Sequence, residues 1–133
     1  MRRSERLKVV LEQAERRQEK ALRELQRRRQ EWEKQQARLE SLQAYRRDYQ
    51  QMMRSGMQGP VPANRLQTMH QFITQIDGAL AAQQTRLDET GEQYRQARQA
   101  WQQAWERREG MARYIDSCRA QEQREDERRD QRL

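Results

Sequence analysis

Residues 55–64 read Ser-Gly-Met-Gln-Gly-Pro-Val-Pro-Ala-Asn, and this short stretch decides how the rest of the chain folds. It holds both prolines and two of the five glycines in the 133-residue sequence. Gly56 is suited to cap a preceding helix, and Pro60 and Pro62 prevent that helix from continuing. Asn64 is a good N-cap for a following helix. Because so short a connection makes its two flanking helices antiparallel neighbours, the stretch predicts a helical hairpin.

On both sides of this stretch, apolar residues recur with a period of about 3.5 residues, which is typical of a left-handed coiled coil. Before it, eight of eleven positions are apolar in a series that we call the first seam: Leu7, Leu11, Ala14, Gln18, Ala21, Leu25, Arg28, Trp32, Gln35, Leu39 and Leu42. After it, thirteen of sixteen are apolar in the second seam: Leu66, Met69, Ile73, Ile76, Leu80, Gln83, Leu87, Thr90, Tyr94, Ala97, Trp101, Ala104, Arg108, Met111, Ile115 and Cys118.

The composition agrees with a narrow seam between long helices. Only 33% of the residues are hydrophobic and 37% are charged, against about 45–50% apolar and about 25% charged in an ordinary domain. We therefore predict an all-α fold, a long antiparallel two-helix coiled-coil hairpin forming one domain over 1–133. Helix 1 should cover about 4–55, the loop 56–64 and helix 2 about 65–120. The tail 121–133 carries no apolar residue before its last position, so it is either frayed or a helix that needs a partner.

Two glutamines interrupt the seams at a matching level. If position 54 lies opposite 65, Gln35 falls beside Gln83, and a polar layer of this kind can fix the register of a coiled coil.

No group of residues points to catalysis. Cys118 is the only cysteine, so no cysteine-based metal site is available, and His70, the only histidine, has no cysteine near it in the sequence. The carboxylates alternate with arginine at helical spacing, which is typical of solvated ion pairs. We expect no enzyme activity, no cofactor, no metal and no small-molecule substrate.

The charge is unevenly distributed. Residues 1–54 hold 16 Lys and Arg against 9 Asp and Glu, which accounts for the whole formal excess of +7. Such an excess suits nucleic acid, an anionic membrane or an acidic protein. Trp32 and Trp101 lie on the seams, however, so they serve packing better than base stacking, and we expect no nucleic-acid partner. No apolar run could span a bilayer, and the basic start leads into no signal-peptide core, so we predict a cytoplasmic protein.

One group of apolar residues exceeds what the seams need. Near the loop, helix 1 carries a second stripe of Leu42, Tyr45, Tyr49 and Met52, and helix 2 carries Phe72. Two helices cannot bury both the seams and this stripe, so some of these rings should be exposed together as a partner site. The alternative is a local shift of the coiled coil that buries them.

At these residues the sequence resembles the flagellar export protein FliJ family. The resemblance rests on the motif Tyr45-x-x-x-Tyr49, then Met57, then Asn64-Arg65, then Gln71-Phe72-Ile73-x-x-Ile76-x-x-Ala79. It runs without a gap over about 39–84 and extends more weakly through Trp101 and Arg107.

The resemblance implies a soluble, cytoplasmic component of the flagellar type III export apparatus, peripheral to the inner membrane through its partners. Its fold would be a coiled coil like the central stalk of rotary ATPases. It would bind the export ATPase FliI, promote assembly of the ATPase ring, contact the export gate protein FlhA and handle export chaperones. The implied gate-binding surface comprises Leu42, Tyr45, Tyr49, Phe72, Ile76 and Ala79. Two further positions of that surface hold Arg38 and Gln83, where Gln and His are familiar in the family.

The charge and the stalk resemblance together suggest a second surface. Arg2, Arg3, Arg6 and Lys8 form a basic end that we expect to bind the ATPase ring. Two alternatives remain open at this point: the equivalent stalk protein of a virulence injectisome, and a generic structural coiled coil.

Overall fold

Two helices make up the computed structural model, which describes residues 1–56 and 59–132. Helix α1 covers Arg3–Gly56 and helix α2 covers Ala63–Arg132, and no strand occurs in these two ranges. The prediction of an all-α helical hairpin is confirmed. Helix α2 runs through the acidic and basic residues of the tail as far as Arg132.

The connection between the helices contains one residue with left-handed backbone geometry. Gly59 has a φ of 114°, the one positive φ found in the described part of the chain. Glycine adopts this conformation without the steric penalty that a side chain would bring. Gly56 is the last residue of α1. Met57, one of the residues behind the family resemblance, lies outside the described residues.

The start of α2 differs from the sequence prediction. The helix begins at Ala63, and the carbonyl of Pro62 accepts hydrogen bonds from the backbone N–H groups of Arg65 at 3.1 Å and Leu66 at 3.2 Å. Asn64 is therefore the second helical residue, and the prediction that it caps the helix is wrong. Proline can stand at this boundary because its φ is compatible with a helix start and it has no N–H to satisfy.

The two seams account for the packing between the helices. All eleven residues of the first seam are buried or half-buried, and so are fifteen of the sixteen in the second. The exception is Leu66, which is 43% exposed at the start of α2. The 3.5-residue period thus predicted the packed face correctly along both helices.

Contacts within the hairpin group into two compact units. The first, which we call the loop unit, is Arg28–Tyr94. The second, the terminal unit, consists of Met1–Arg27 together with Arg95–Leu133.

A polar layer crosses the loop unit. The side-chain amide of Gln83 donates to the side-chain oxygen of Gln35 at 2.8 Å and to its backbone oxygen at 3.0 Å. Gln35 in turn donates to Glu31 at 2.8 Å, and Arg86 lies 3.6 Å from the same carboxylate. The hydrogen bond from Gln35 and the nearby cations lower the pKa of Glu31. The expected pairing of the two glutamines is confirmed, and every polar group of the 1% exposed Gln35 side chain has a partner.

A tryptophan packs closely against α2 in the same unit. The ring of Trp32 lies 5.4 Å from that of Tyr94, and it runs alongside Gly91. A Cβ at position 91 would lie 3.3 Å from Nε1 of Trp32. The absence of a side chain at Gly91 therefore leaves room for the indole.

The terminal unit has a core of small and aliphatic side chains. Ile115 is 1% exposed, and Ala14, Ala97 and Cys118 are each no more than 8% exposed. Cys118 is a free, buried thiol, which agrees with its place at the end of the second seam.

Candidate functional site

Three aromatic rings meet near the loop, and the ring of Phe72 is at their centre. Tyr49 lies 4.5 Å from Phe72 between ring centroids, with the planes tilted by 54°. Tyr45 lies 6.3 Å from Phe72 in an edge-to-face arrangement of 73°. Both geometries are in the favourable range for aromatic pairs. Because Tyr45 and Tyr49 come from α1 and Phe72 from α2, the cluster joins the two helices.

The rings differ in how much of them reaches solvent. Tyr45 is 52% exposed, whereas Tyr49 and Phe72 are half-buried. The first seam continues past Leu42 through half-buried positions at Arg46, Tyr49 and Met53. Tyr45 is consequently turned away from the helix interface, and the alternative in which a local shift buries the whole stripe does not hold.

The other residues of the implied gate-binding surface lie at different depths. Ala79 is exposed and Leu42 is half-buried, so both can contribute accessible surface. Ile76 is only 6% exposed. It contributes to packing between the helices, and a partner could reach little of it. We call the accessible set, Leu42, Tyr45, Tyr49, Phe72 and Ala79, the aromatic patch.

An ion pair between the helices adjoins the aromatic patch. Arg46 donates through Nε to Asp77 at 2.6 Å and through a second nitrogen at 3.4 Å. This hydrogen bonding lowers the pKa of Asp77 and raises that of Arg46. The pair links α1 to α2 at the residue that follows Tyr45 in the sequence.

A groove beside the loop was not anticipated from the sequence. It has a volume of about 650 Å3, and methionines and small residues contribute much of its lining: Tyr49, Met52, Met53, Gly56, Val61, Pro62, Asn64, Arg65, Thr68 and Met69. Met52 is 67% exposed. The one feature of the sequence that could have indicated this groove is the stripe that includes Tyr49 and Met52. These two residues continue the aromatic patch into the groove.

The residues predicted to form the basic end are all exposed, but two of them have partners within the chain. Arg2 donates to Asp126 at 2.5 Å, and Asp126 also accepts from Arg129. The guanidinium of Arg3 lies 5.8 Å from the centre of the Tyr114 ring, within the range of a cation–π contact. Arg6 and Lys8 form no side-chain ion pair with any residue of 1–56 or 59–132.

The tail contacts the start of α1 through a second carboxylate. Glu122 accepts from the backbone N–H of Ser4 at 3.1 Å and from its hydroxyl at 2.7 Å. The N–H groups of the first turn have no partner inside the helix, and a negative charge there is favourable. These two hydrogen bonds lower the pKa of Glu122. Ser4 is only 5% exposed as a result of this docking.

Residues that could hold a metal do not come together. Within residues 1–56 and 59–132, no three His, Cys, Asp or Glu side chains are grouped so that they could bind an ion. His70 is exposed and lies on α2 near the loop. Across those same residues, neither helix has a stretch apolar enough to cross a bilayer.

Comparison with known proteins gives one finding. The family model described as "Flagellar FliJ protein" matches residues 3–133, which is nearly the whole chain. Neither the curated proteins nor the solved structures include a significant match. Since the match extends over both helices and the turn between them, the chain belongs to the flagellar FliJ protein family.

Proposed function

We propose that this chain is a non-enzymatic, stalk-like subunit of the flagellar type III export apparatus that binds the export ATPase and couples it to the export gate. Family membership indicates a component of the flagellar export apparatus. The proposal goes further, because it assigns a FlhA-like gate protein to the aromatic patch and a FliI-like ATPase to the basic end. It also includes promotion of ATPase ring assembly and handling of export chaperones, with membrane association only through partners.

The observation that carries the gate assignment is the exposure of Tyr45. A ring that is 52% exposed, held edge-on against Phe72, offers a rigid apolar contact that the hairpin does not need for its own packing. Exposed aromatic side chains with few rotatable bonds are typical of residues that dominate binding energy. The neighbouring Met52, at 67% exposed, extends the same surface.

Replacing Tyr45 and Phe72 tests this assignment. Tyr45→Ala with Phe72→Ala should weaken binding to the cytoplasmic domain of the gate protein by at least about 2 kcal/mol, as expected for central aromatic contacts. Binding would be measured by calorimetry, and helicity by circular dichroism. Trp105→Ala is the matched control, because Trp105 is 41% exposed but lies in the terminal unit. Unchanged gate affinity in the double variant would contradict the assignment, and lost helicity would show that the rings serve folding.

The ATPase assignment depends on the residues that keep a free charge at the basic end. Reversing Arg2 would also break its bond to Asp126, so Arg6 and Lys8 give the cleaner test. Arg6→Glu with Lys8→Glu should weaken ATPase binding and reduce the stimulation of ATP hydrolysis.

The control for this experiment is Arg16→Glu with Lys20→Glu, which makes the same change of charge at exposed positions further along α1. Equal effects of the two double variants would mean that only the total charge of the chain matters. Full stimulation by the Arg6 and Lys8 variant would contradict the assignment.

A further inference from the structure

The loop unit has two exposed cations at the end of the aromatic patch that lies further from the loop. Lys34 and Arg38 line a shallow groove together with Ala37, Ser41 and Leu42 of α1 and Gln83 of α2. Leu42 belongs both to this groove and to the aromatic patch, so the two surfaces are continuous.

These two cations share one nearby acid, Glu31, whose pKa their charges help to lower. Neither forms an ion pair with another residue of the described chain, although the nearby acids do. Glu33 is bound to Arg29, while Glu31 accepts from Gln35 and lies near Arg86. Two like charges four residues apart on a helix repel each other. A carboxylate supplied from outside would relieve this repulsion and could pair with Arg38 through two parallel hydrogen bonds.

The shape of the surface suits a third helix. From Lys34 to Met52 it follows α1 for about 27 Å, at about 1.5 Å per residue. Small residues at Ala37, Ser41 and Ala79 lie among the bulky side chains of the patch, and such positions provide the holes into which knobs of another helix pack. Because both walls of the surface are α-helices, their backbone groups are already bonded and cannot pair with an added strand.

We propose that the aromatic patch and the Lys34–Arg38 groove form one docking surface for an amphipathic helix of about five turns. The apolar face of that helix packs on Leu42, Tyr45 and Phe72, and its carboxylates at one end pair with Lys34 and Arg38. This inference rests on the proposed gate-binding function and adds the chemistry of the docking element. A second copy of this chain is a poorer occupant, because the loop-side stretch of α1 that forms the surface carries the same excess of cations.

Charge reversal at the groove tests the acidic end of the docking helix. Lys34→Glu with Arg38→Glu should weaken binding of the full chain to the gate cytoplasmic domain by about tenfold or more at low salt. The reason is that each attraction between a cation of the groove and a carboxylate of the partner would become a repulsion between two carboxylates. The neutral variant Lys34→Gln with Arg38→Gln should lose less. Raising the salt from about 50 to about 300 mM should weaken the wild type and barely affect the neutral variant. Arg16→Glu with Lys20→Glu is the matched control and should stay within about twofold of the wild type.

The outcomes separate this inference from the function on which it rests. One outcome would contradict the acidic docking helix but leave the gate assignment intact. In that outcome the wild type binds the gate domain, the Tyr45 and Phe72 variant does not, and the charge-reversed variant binds as well as the wild type. If the wild type fails to bind the gate domain at all, both are wrong.

The helical form of the partner has its own test. Hydrogen exchange on the complex identifies the gate segment that the chain protects, and that segment is then made as a peptide. We expect the peptide to carry carboxylates near one end, to gain helicity on binding and to lose affinity when a proline is placed at its centre. Binding without a gain of helicity overturns the inference. The inference is also overturned if the free chain forms a dimer and the Tyr45 and Phe72 substitutions dissociate that dimer.

Discussion

The loop unit and the terminal unit use the same seam period but differ in the side chains that they bury most completely. The loop unit buries Gln35 and Thr90, at 1% and 2% exposed, and leaves Tyr45 more than half exposed. The terminal unit buries Ile115 and Cys118. Where polar side chains occupy the seam and an aromatic ring lies outside it, less apolar surface is buried between the two helices and more is accessible to a partner.

The terminal unit places its polar contacts at the chain ends instead. Glu122 caps the start of α1 through Ser4, and Asp126 pairs with Arg2. Its exposed apolar residues include Trp105 and Tyr114, and the Tyr114 ring lies beneath Arg3. We therefore expect substitutions in the core of the terminal unit to affect stability alone, and those in the aromatic patch of the loop unit to affect gate binding as well.

The largest expected effect comes from the terminal core. Ile115→Ala should lower the free energy of unfolding by about 3 kcal/mol, because the side chain is 1% exposed and its removal leaves a cavity. Urea denaturation followed by circular dichroism measures the loss. Val9→Ala, at a position 56% exposed, is the control and should cost far less. A loss below about 1 kcal/mol at Ile115 would mean that the terminal core is loosely packed.

The polar layer of the loop unit should give the next largest effect. Gln35→Ala removes the side-chain acceptor of the Gln83 amide and the donor to Glu31, while the bond from Gln83 to the backbone oxygen of residue 35 remains. We expect a loss of about 2 kcal/mol, about 1 kcal/mol for each hydrogen bond lost. Gln30→Ala at a nearby exposed position is the control.

Replacing both glutamines by leucine separates stability from specificity. Gln35→Leu with Gln83→Leu should keep or raise stability but weaken the preference for one register, because apolar layers tolerate alternative pairings. Analytical ultracentrifugation would detect new oligomers. A strictly monomeric double variant with unchanged exchange protection would show that the layer does not specify the register.

Acid should loosen the tail of the terminal unit. The pKa values of Glu122 and Asp126 are lowered in the folded chain. Their contribution to the stability of the docked tail is therefore complete above their pKa values in the unfolded chain, about 4.3 and about 3.9. That contribution is lost as the pH falls through their pKa values in the folded chain. Hydrogen-exchange protection of residues 119–132, corrected for the intrinsic rate, should fall below about pH 4.

A substitution reproduces this change without acid. Glu122→Gln should reduce the protection of 119–132 at neutral pH, because the charged acceptor at the start of α1 is lost. Glu125→Gln is the control, since Glu125 is exposed in the same helix. Equal protection in the two variants would contradict the docking of the tail through Ser4.

The smallest expected effect compares two glycines of the loop unit. Gly78→Ala should stabilise α2 by about 0.5–1 kcal/mol, because an added Cβ meets nothing within 4 Å. Gly91→Ala should gain less or lose stability, because its Cβ would press on Trp32. Thermal denaturation of both variants measures the difference. Equal gains would show that the indole can move aside without cost.

Much of the fold could be read from the spacing of residues. The period of 3.5 predicts that Ile115 and Cys118 lie in the core, and the spacing of the seams predicts that Gln35 pairs with Gln83; the structure confirms both. The helix start was misplaced at Asn64, because capping preference describes an isolated helix end and does not include the carbonyl of Pro62. The sequence predicts which aromatic rings form the candidate site, but it does not predict how far each ring is exposed to solvent.

The sequence by itself determined that two helices pair along one apolar face, since the helical period depends only on which residues follow one another. Only the tertiary structure decided that Tyr49 packs inward and Tyr45 faces solvent, that Arg46 meets Asp77, and that Glu122 caps α1. The physical reason is that a small rotation of one helix against the other exchanges neighbouring side chains between seam and surface. That rotation depends on the packing of both helices together and on no local pattern in either one.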